Sequence, residues 1–346
     1  MYEGLTAEQE ELRVMVRAFF ADTCPPAAVR RFAGDPPPGY DGKLWTRLTT
    51  ELGLTSLAIP EEYGGAGCGV VELAVVCEEL GRALTPVPYL ATAVLAARAC
   101  AGDARLAERL LPGIADGSLT ATVVVDGTLT VRDDRLSGRA SYVLDGDRAD
   151  VVLVPVRDRL YAVRGDATGL GRRAHGAFDP TRPLATLVFD DVAAEPYDPP
   201  PYDPKDLAIT TLAAEQTGGA RRCLEMATDH AKARVQFGRP IGSFQAIKHK
   251  LADVLLTVES ARSAARHAAW AADHDAARLP VAAALAGSYC TEAYLRAAAE
   301  NIQVHGGIGV TWEHDAHLYF KRATSSAQLF GTPSAHRARL ATLIGL

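Results

Sequence analysis

The sequence predicts an α+β protein in three consecutive parts. These are an N-terminal helical domain over residues 1–118, a small central β-barrel over residues 119–197, and a C-terminal four-helix bundle over residues 198–346. Apolar residues recur at helical spacing in the first and last parts, whereas short runs of β-formers fill the middle. The proline-rich segment Pro196–Pro204 separates the strands from the last helices, because proline continues neither a ladder nor a helix interior.

The helices of the first part carry start and stop signals. Thr6 with Gln9 forms a capping box, and apolar residues follow it at helical spacing. A second apolar stripe contains Trp45 and Leu48 and ends at Gly53, a residue type that commonly closes a helix. A loop rich in proline and glycine then precedes a third stripe, so we expect at least three helices before residue 118.

The central part is predicted to be strands because β-branched and apolar runs alternate with turn residues. The runs begin at Thr120, Leu129, Val151, Leu160 and Leu184. Several short strands with frequent turns are typical of a small β-barrel or sandwich.

The last part is predicted to be long, alanine-rich helices that follow Lys205. Their apolar faces are Ile209–Ala231, Ile247–Val258 and Val281–Gln303, and a short helix follows Pro333. Small residues on long helical faces suit a tightly packed bundle.

Composition limits the possible classes of function. Hydrophobic content of 48% and charged content of 23% are ordinary for a globular protein. The net charge of −6 without a basic block gives no reason to expect nucleic acid or a membrane surface as a partner. The N-terminus is polar and acidic, unlike a signal peptide. Six cysteines without CxxC spacing are expected to be reduced thiols in a cytoplasmic protein.

The run Lys232–Gln245 is the most informative stretch of the chain. Arg234 and Phe237 are three residues apart near the end of a predicted helix, so their side chains can project toward one ligand. A guanidinium matches a pyrophosphate with its planar fork of donors, and a phenylalanine stacks against a ring. An isolated Arg-x-x-Phe pair is usually a surface arginine beside a helix end, but the longer string is far more specific.

A second run, Gln303–Gly309, contains Gly306 and Gly307, which permit close backbone approach to a ligand. By itself this run indicates a helix cap and turn. Together the two runs resemble the FAD-binding signatures of the acyl-CoA dehydrogenase family, and the loop Leu57–Gly67 resembles that family's N-terminal domain. The order of helices, β-domain and helical bundle extends the resemblance over the whole chain.

The resemblance implies a substrate, a cofactor and an acceptor. In this family an acyl-CoA thioester lies against FAD, a glutamate removes the proton alpha to the carbonyl, and electron-transfer flavoprotein accepts the electrons. One group of residues reaches across a subunit interface to the adenine-side half of FAD held mainly by the neighbouring chain. The resemblance assigns FAD contacts to Arg234, Phe237, Gln303, Gly306, Gly307 and Thr332, the last being the threonine that follows the family's C-terminal Glu-Gly.

The chain departs from the family where a catalytic base is expected. Phe330 occupies the position of the C-terminal glutamate, and Ala208 occupies the alternative position at the start of the first bundle helix. The family's flavin-lining stretch has no counterpart after Thr120. We therefore assign no catalytic residue. Glu215, about two helical turns from Ala208, is the fallback base, although a helix carboxylate is more often an ion-pair partner.

Four residues that could be metal ligands lie close together in the sequence. His305, His314, Asp315 and His317 match no standard zinc spacing, so we expect capping and interface contacts and no metal.

The pattern resembles the smaller, base-less subunit of the heteromeric acyl-CoA dehydrogenases of actinobacterial steroid and cholesterol catabolism. In such a heterotetramer a larger homologous subunit would supply the flavin cradle, the acyl pocket and the glutamate. Two alternatives stay open. One is a self-sufficient homotetrameric dehydrogenase with Glu215 as base, and the other is a non-catalytic scaffold subunit without FAD.

Overall fold

The computed structural model describes residues 4–34 and 39–346. The chain divides into two compact units that both use discontinuous segments. The first unit comprises Met1–Gly34, Ala74–Thr85 and Ile209–Leu346, and the second comprises Asp35–Leu73 and Pro86–Ala208.

The helices occupy both ends of the chain. In chain order they are α1 (Ala7–Thr23), α2 (Pro26–Gly34), α3 (Gly42–Leu52), α4 (Val70–Ala83), α5 (Ala97–Ala99), α6 (Ala104–Ala115), α7 (Pro204–Ala233), α8 (Gln245–His274), α9 (Leu279–His305), α10 (Ala316–Ser326) and α11 (Pro333–Leu343). A π-helix, Leu90–Ala96, leads into α5.

The strands lie between α6 and α7, except for a small hairpin after α7. They are β1 (Ala121–Val123), β2 (Thr128–Arg132), β3 (Arg135–Leu144), β4 (Val151–Val156), β5 (Arg159–Arg164), β6 (Leu170–Ala174), β7 (Leu184–Ala193), β8 (Glu195–Tyr197), β9 (Val235–Gln236) and β10 (Arg239–Pro240).

The second unit is built on two four-stranded sheets that face each other. One has the order β1-β4-β5-β8, with β1 parallel to β4, and the other has the antiparallel order β2-β3-β7-β6. Their shared core includes Leu136 and Leu187 from one sheet and Val152, Val154 and Val163 from the other. The apolar faces of the two sheets therefore bury each other, as in a sandwich.

The prediction of a small β-barrel or sandwich is confirmed in its sandwich form, because no strand pairing among the described residues joins the two sheets into a closed barrel. A barrel needs a continuous hydrogen-bonded ladder around its circumference. The edge strands β1 and β8 are only three residues long, so they offer little backbone for closure. The short-strand prediction itself is confirmed by the five runs that became β1, β2, β4, β5 and β7.

In the first unit α4 and α7 cross with their backbones in contact. A Cβ atom on Gly218 would lie 1.7 Å from the carbonyl oxygen of Glu78, and one on Gly81 would lie 2.0 Å from that of Glu215. Because both obstructing atoms belong to the backbone, neither can move aside as a side chain would. The crossing therefore requires glycine on both helices.

The local signals in the sequence are confirmed where the structure tests them. Thr6 accepts from the Gln9 N–H and the Gln9 side chain accepts from the Thr6 N–H, which completes the capping box. Gly53 ends α3 in the left-handed region, with φ of 61°. The sequence did not predict α2, α6 or α10. No helix in the described part of the chain is both long and apolar enough to cross a membrane.

We predict that Gly218→Ala destabilises the protein by about 3 kcal/mol or more, since the added methyl group meets backbone that cannot relax locally. Gly42→Ala, at the first turn of α3, is the control because its Cβ would meet no heavy atom within 4 Å. Urea denaturation of both variants measures the free energies of unfolding. Equal stability of the two variants would show that the backbones of α4 and α7 are not in contact at Gly218.

Candidate functional site

The Arg-x-x-Phe motif forms a hairpin at the end of α7. Strands β9 and β10 pair around a two-residue turn made by Phe237 and Gly238, with φ of 53° and 77°. Two positive φ angles are the signature of a type I′ turn, and positive φ is uncommon for a bulky residue. Phe237 is nevertheless 91% exposed. The fold thus holds an aromatic ring in solvent at a local backbone cost, which is typical of a functional position.

Neighbouring groups brace this hairpin. The Ile241 N–H donates to the Arg234 carbonyl oxygen over 2.8 Å. The Arg239 guanidinium lies 4.2 Å from the centre of the Phe244 ring, and that ring meets Phe237 edge to face at 6.0 Å. The Arg234 side chain is exposed. A guanidinium and an aromatic ring are therefore both presented to solvent from one ordered turn.

The glycine motif ends α9 with an open backbone. Gln303 is exposed on the last turn, and the helix closes at Gly306, whose φ is 67° and whose N–H donates to Ile302. A Cβ atom on Gly306 or on Gly307 would meet no heavy atom within 4 Å. The backbone here is accessible to a ligand, so the segment fits the close approach that a dinucleotide requires.

Packing of α7 against α9 brings the two motifs to the same end of the bundle. Ala227 and Ala231 of α7 form a buried cluster with Val304 of α9, and Ile241 and Ile247 pack against it. We call Arg234, Phe237, Gln303, Gly306 and Gly307 the candidate clamp.

A cluster of three imidazole rings, tilted against one another, includes His305, the residue directly before Gly306 of the candidate clamp. The ring centres of His230 and His305 are 4.3 Å apart, and those of His305 and His314 are 4.1 Å apart. His305 Nδ1 donates to the Asn301 carbonyl oxygen over 2.8 Å, and His314 Nδ1 accepts from the Ala316 N–H over 3.1 Å. Within the described residues no group of three His, Cys, Asp or Glu is arranged to hold a metal.

Burial lowers the pKa of His230, and the neighbouring His305 and His314 lower it further. Burial also lowers the pKa of His314, again with a contribution from His305. The neutral forms of His230 and His314 are therefore favoured in the folded protein, because a positive charge on either ring would be desolvated.

Thr332 is not brought together with the candidate clamp. Its hydroxyl caps α11 by accepting from the Ala335 N–H over 3.3 Å. His336 of the same helix lies against Gly287, near the start of α9, whereas Gln303 is near its end. The two positions are separated by about 24 Å along α9 at 1.5 Å per residue.

Glu215, the fallback base, forms a buried ion pair. Its Oε1 accepts from Arg322 Nη1 over 2.6 Å, and the two side chains are 9% and 3% exposed. Its neighbour Gln216 exchanges hydrogen bonds of 3.0 and 3.1 Å with Thr291. This geometry is that of an ion pair linking α7 to α10, with further polar contacts from α7 to α9. The sequence did not single out Arg322 or His230, because their partners come from distant helices.

Comparison with known proteins places the chain in a family. Residues 6–118 match the model of the acyl-CoA dehydrogenase N-terminal domain, and residues 210–344 match that of the C-terminal domain. The acyl-CoA dehydrogenase IpdE2 of Mycobacterium tuberculosis is 42% identical over 334 residues, with 96% of each chain covered. The chain belongs to the acyl-CoA dehydrogenase family.

Two solved structures share the fold of this acyl-CoA dehydrogenase over nearly its full length. The Tcur3481-Tcur3483 steroid ACAD is 33% identical, with 98% of each chain covered and a TM-score of 0.89. The ChsE4-ChsE5 complex from Mycobacterium tuberculosis is 29% identical, with 100% and 99% covered and a TM-score of 0.92. The family and the fold of N-terminal helices, central sheets and C-terminal helices are confirmed.

Neither of the two residues that the sequence resemblance predicts at a base position carries an ionisable group. Phe330 is buried and has φ of 62°, and Ala208 is fully buried. Strand β1 continues into buried Val124, and the carboxylate of Asp126 beyond it pairs with Lys205 over 2.7 Å. The segment that would line a flavin within this chain is thus mostly apolar.

We predict that Arg322→Met destabilises the protein by about 3–5 kcal/mol, because it leaves the Glu215 carboxylate buried without its cation. Adding Glu215→Leu to this variant should recover most of the loss, since an apolar pair can replace a buried ion pair. The free energies of unfolding of Arg322→Met, Glu215→Leu and the double variant, compared with that of the unaltered protein, form a double-mutant cycle. Additive losses would show that the two side chains are not coupled.

His230 and His314 predict a pH dependence of stability. Because the folded-state pKa of His230 and His314 is lowered, the unfolded chain binds more protons, and stability falls as the pH drops below about 6.5. His314→Phe keeps a ring and removes a proton site, so its stability should change less over pH 5 to 7. Thermal unfolding across this range measures the difference. Parallel curves for both proteins would contradict the prediction.

Proposed function

We propose that this chain is a subunit of an FAD-dependent acyl-CoA dehydrogenase that introduces an alpha,beta double bond into an acyl-CoA thioester. In this proposal it contributes the adenine-side FAD clamp to a larger homologous subunit. The observation that carries the proposal is the ordered, outward-facing clamp in a chain with no ionisable group at Phe330 or Ala208.

Each clamp residue has a defined task in this proposal. Arg234 pairs with the pyrophosphate through charge-assisted hydrogen bonds, and Phe237 covers an apolar part of the dinucleotide. Gly306 and Gly307 let the backbone approach the ligand, and Gln303 supplies amide hydrogen bonds. FAD held there would supply the hydride acceptor of the proposed reaction. Thr332 lies apart from the clamp. In this proposal it contributes to a separate surface that faces FAD.

The relatives support the heteromeric form of the proposal. Two of the structures with the same fold are the ChsE4-ChsE5 complex and the Tcur3481-Tcur3483 steroid ACAD. A steroid-derived acyl-CoA is accordingly the substrate class we propose, and electron-transfer flavoprotein is the proposed acceptor. We propose that the larger subunit supplies the base, the acyl pocket and the flavin cradle.

The alternatives require features that the described residues do not favour. A homotetramer with Glu215 as base needs that carboxylate to abandon a buried arginine at 2.6 Å. A scaffold without FAD leaves no reason for an exposed phenylalanine at positive φ beside an exposed arginine.

We predict that Arg234→Ala weakens the affinity of the assembled complex for FAD roughly ten- to a hundredfold. A charge-assisted hydrogen bond contributes about 1.5–3 kcal/mol, which corresponds to this change in affinity. Lys232→Ala, which removes an exposed cation two residues earlier, is the matched control and should leave retention unchanged. Fluorescence titration of FAD into the apo complex measures both. Unchanged affinity in a folded Arg234→Ala complex would remove Arg234 from the site.

We also predict that Glu215→Gln leaves turnover of the complex within a few-fold, since loss of a general base costs roughly 10²–10⁴-fold. The assay is acyl-CoA-dependent reduction of an electron acceptor, with the larger subunit held constant. A drop of a thousandfold in a folded complex that still holds FAD would favour the homomeric enzyme.

A further inference from the structure

The first unit contains a cavity of about 330 Å³ that the proposed function does not use. Five helices line it, namely α1, α2, α4, α7 and α10. Its walls are mainly apolar side chains, including Phe20, Val29, Leu84, Leu318 and Tyr319. The size and the apolar walls are those of a small-molecule site, which further requires a few convergent polar groups.

Three of the five charged groups at the cavity are compensated by close partners. Arg17 holds Glu79 in a two-pronged pair with distances of 2.6 and 2.9 Å. Asp315 is paired with Arg30. Neither pair leaves a net charge facing the cavity.

The remaining two arginines at the cavity share one carboxylate. Arg82 Nη2 lies 2.6 Å from Glu225 Oε2, and Arg222 Nη1 lies 3.6 Å from the same oxygen. Arg82 Nη1 is buried without a hydrogen-bond partner among the described residues. Arg221 also approaches Glu225, at 3.5 Å, but does not line the cavity and has its own partner in Glu259. One positive charge at the cavity wall is thus left over.

We propose that this cavity binds a small amphipathic carboxylate. Its acid group would lie on Arg82 and Arg222, and its hydrocarbon part among Phe20, Val29 and Leu318. An arginine matches the planar carboxylate with paired N–H donors, and one surplus charge balances one monoanion. The apolar walls disfavour a phosphate dianion, whose desolvation would not be offset.

The cavity is separate from the candidate clamp. Arg222 stands about 17 Å along α7 from the helix end that carries Arg234, at 1.5 Å per residue. The Tyr319 hydroxyl donates to the Arg82 carbonyl oxygen over 2.6 Å, so α10 and α4 are already joined at the cavity. A ligand held there would bridge five helices and raise the stability of the chain by mass action.

The test is calorimetric titration of the full chain with octanoate, with octanol and octylamine as the neutral and cationic probes of equal length. Octanoate should bind once per chain, at least tenfold more tightly than octanol, and octylamine should not bind. Arg222→Gln should weaken octanoate binding by about tenfold or more, since a charged hydrogen-bond partner is lost. Arg221→Gln, its neighbour outside the cavity, should change binding by less than twofold.

Three results would overturn the proposal: no saturable octanoate binding, equal binding of octanol, or equal losses in Arg221→Gln and Arg222→Gln. Circular dichroism checks that the variants are folded. Arg222→Lys, which keeps the charge, replaces the glutamine variant if that variant does not fold. It should bind octanoate more tightly than octanol, but it should bind octanoate less tightly than the unaltered chain does.

Discussion

The close approach of α7 to its neighbours is the constraint on which the first unit depends. The consecutive glycines Gly218 and Gly219 permit close contacts on two sides of α7. Gly218 lies against the backbone of α4, and a Cβ atom on Gly219 would lie 2.5 Å from the Tyr294 ring of α9. Because consecutive helical residues point about 100° apart, one pair of glycines admits the backbone of α4 on one side of α7 and the Tyr294 ring of α9 on another. The buried pair Glu215–Arg322 then ties the same helix to α10.

This packing determines where the candidate clamp lies. Ala227 and Ala231 continue the small face of α7 onto Val304, so α7 and α9 end side by side. The hairpin with Phe237 begins where α7 stops, and the open backbone at Gly306 begins where α9 stops. Neither segment could hold a ligand alone, since each is a short exposed turn. Their value for binding comes from being held at one end of a rigid bundle.

Much of this arrangement could be predicted from the sequence, for reasons that differ between elements. The capping box at Thr6 and the helix end at Gly53 are local signals, so neighbouring residues suffice. Periodicity located α7, α8 and α9. It did not locate β3 (Arg135–Leu144), because that strand carries charged and polar residues on its exposed face. The contact of His230 with His305 and the pairing of Arg322 with Glu215 depend on which helices meet, which no local pattern encodes.

The choice between a barrel and a sandwich could not be made from the sequence for a similar reason, since short strands indicate a β-domain but not which edges pair. The lost base positions are a different kind of prediction, because they rest on which residue replaces the glutamate and need no tertiary information. The absence of a carboxylate at Phe330 and Ala208, taken together with the candidate clamp, is the basis of the proposed heteromer.

The FAD content of the purified chain, alone and after co-expression with a larger homologous dehydrogenase subunit, tests this division of labour most directly. Flavin absorbance per mole of protein is the readout. We predict little or no FAD in the chain alone and stoichiometric FAD in the complex. A yellow chain that holds one FAD per subunit without a partner would contradict the shared site, and a complex without flavin would contradict the clamp.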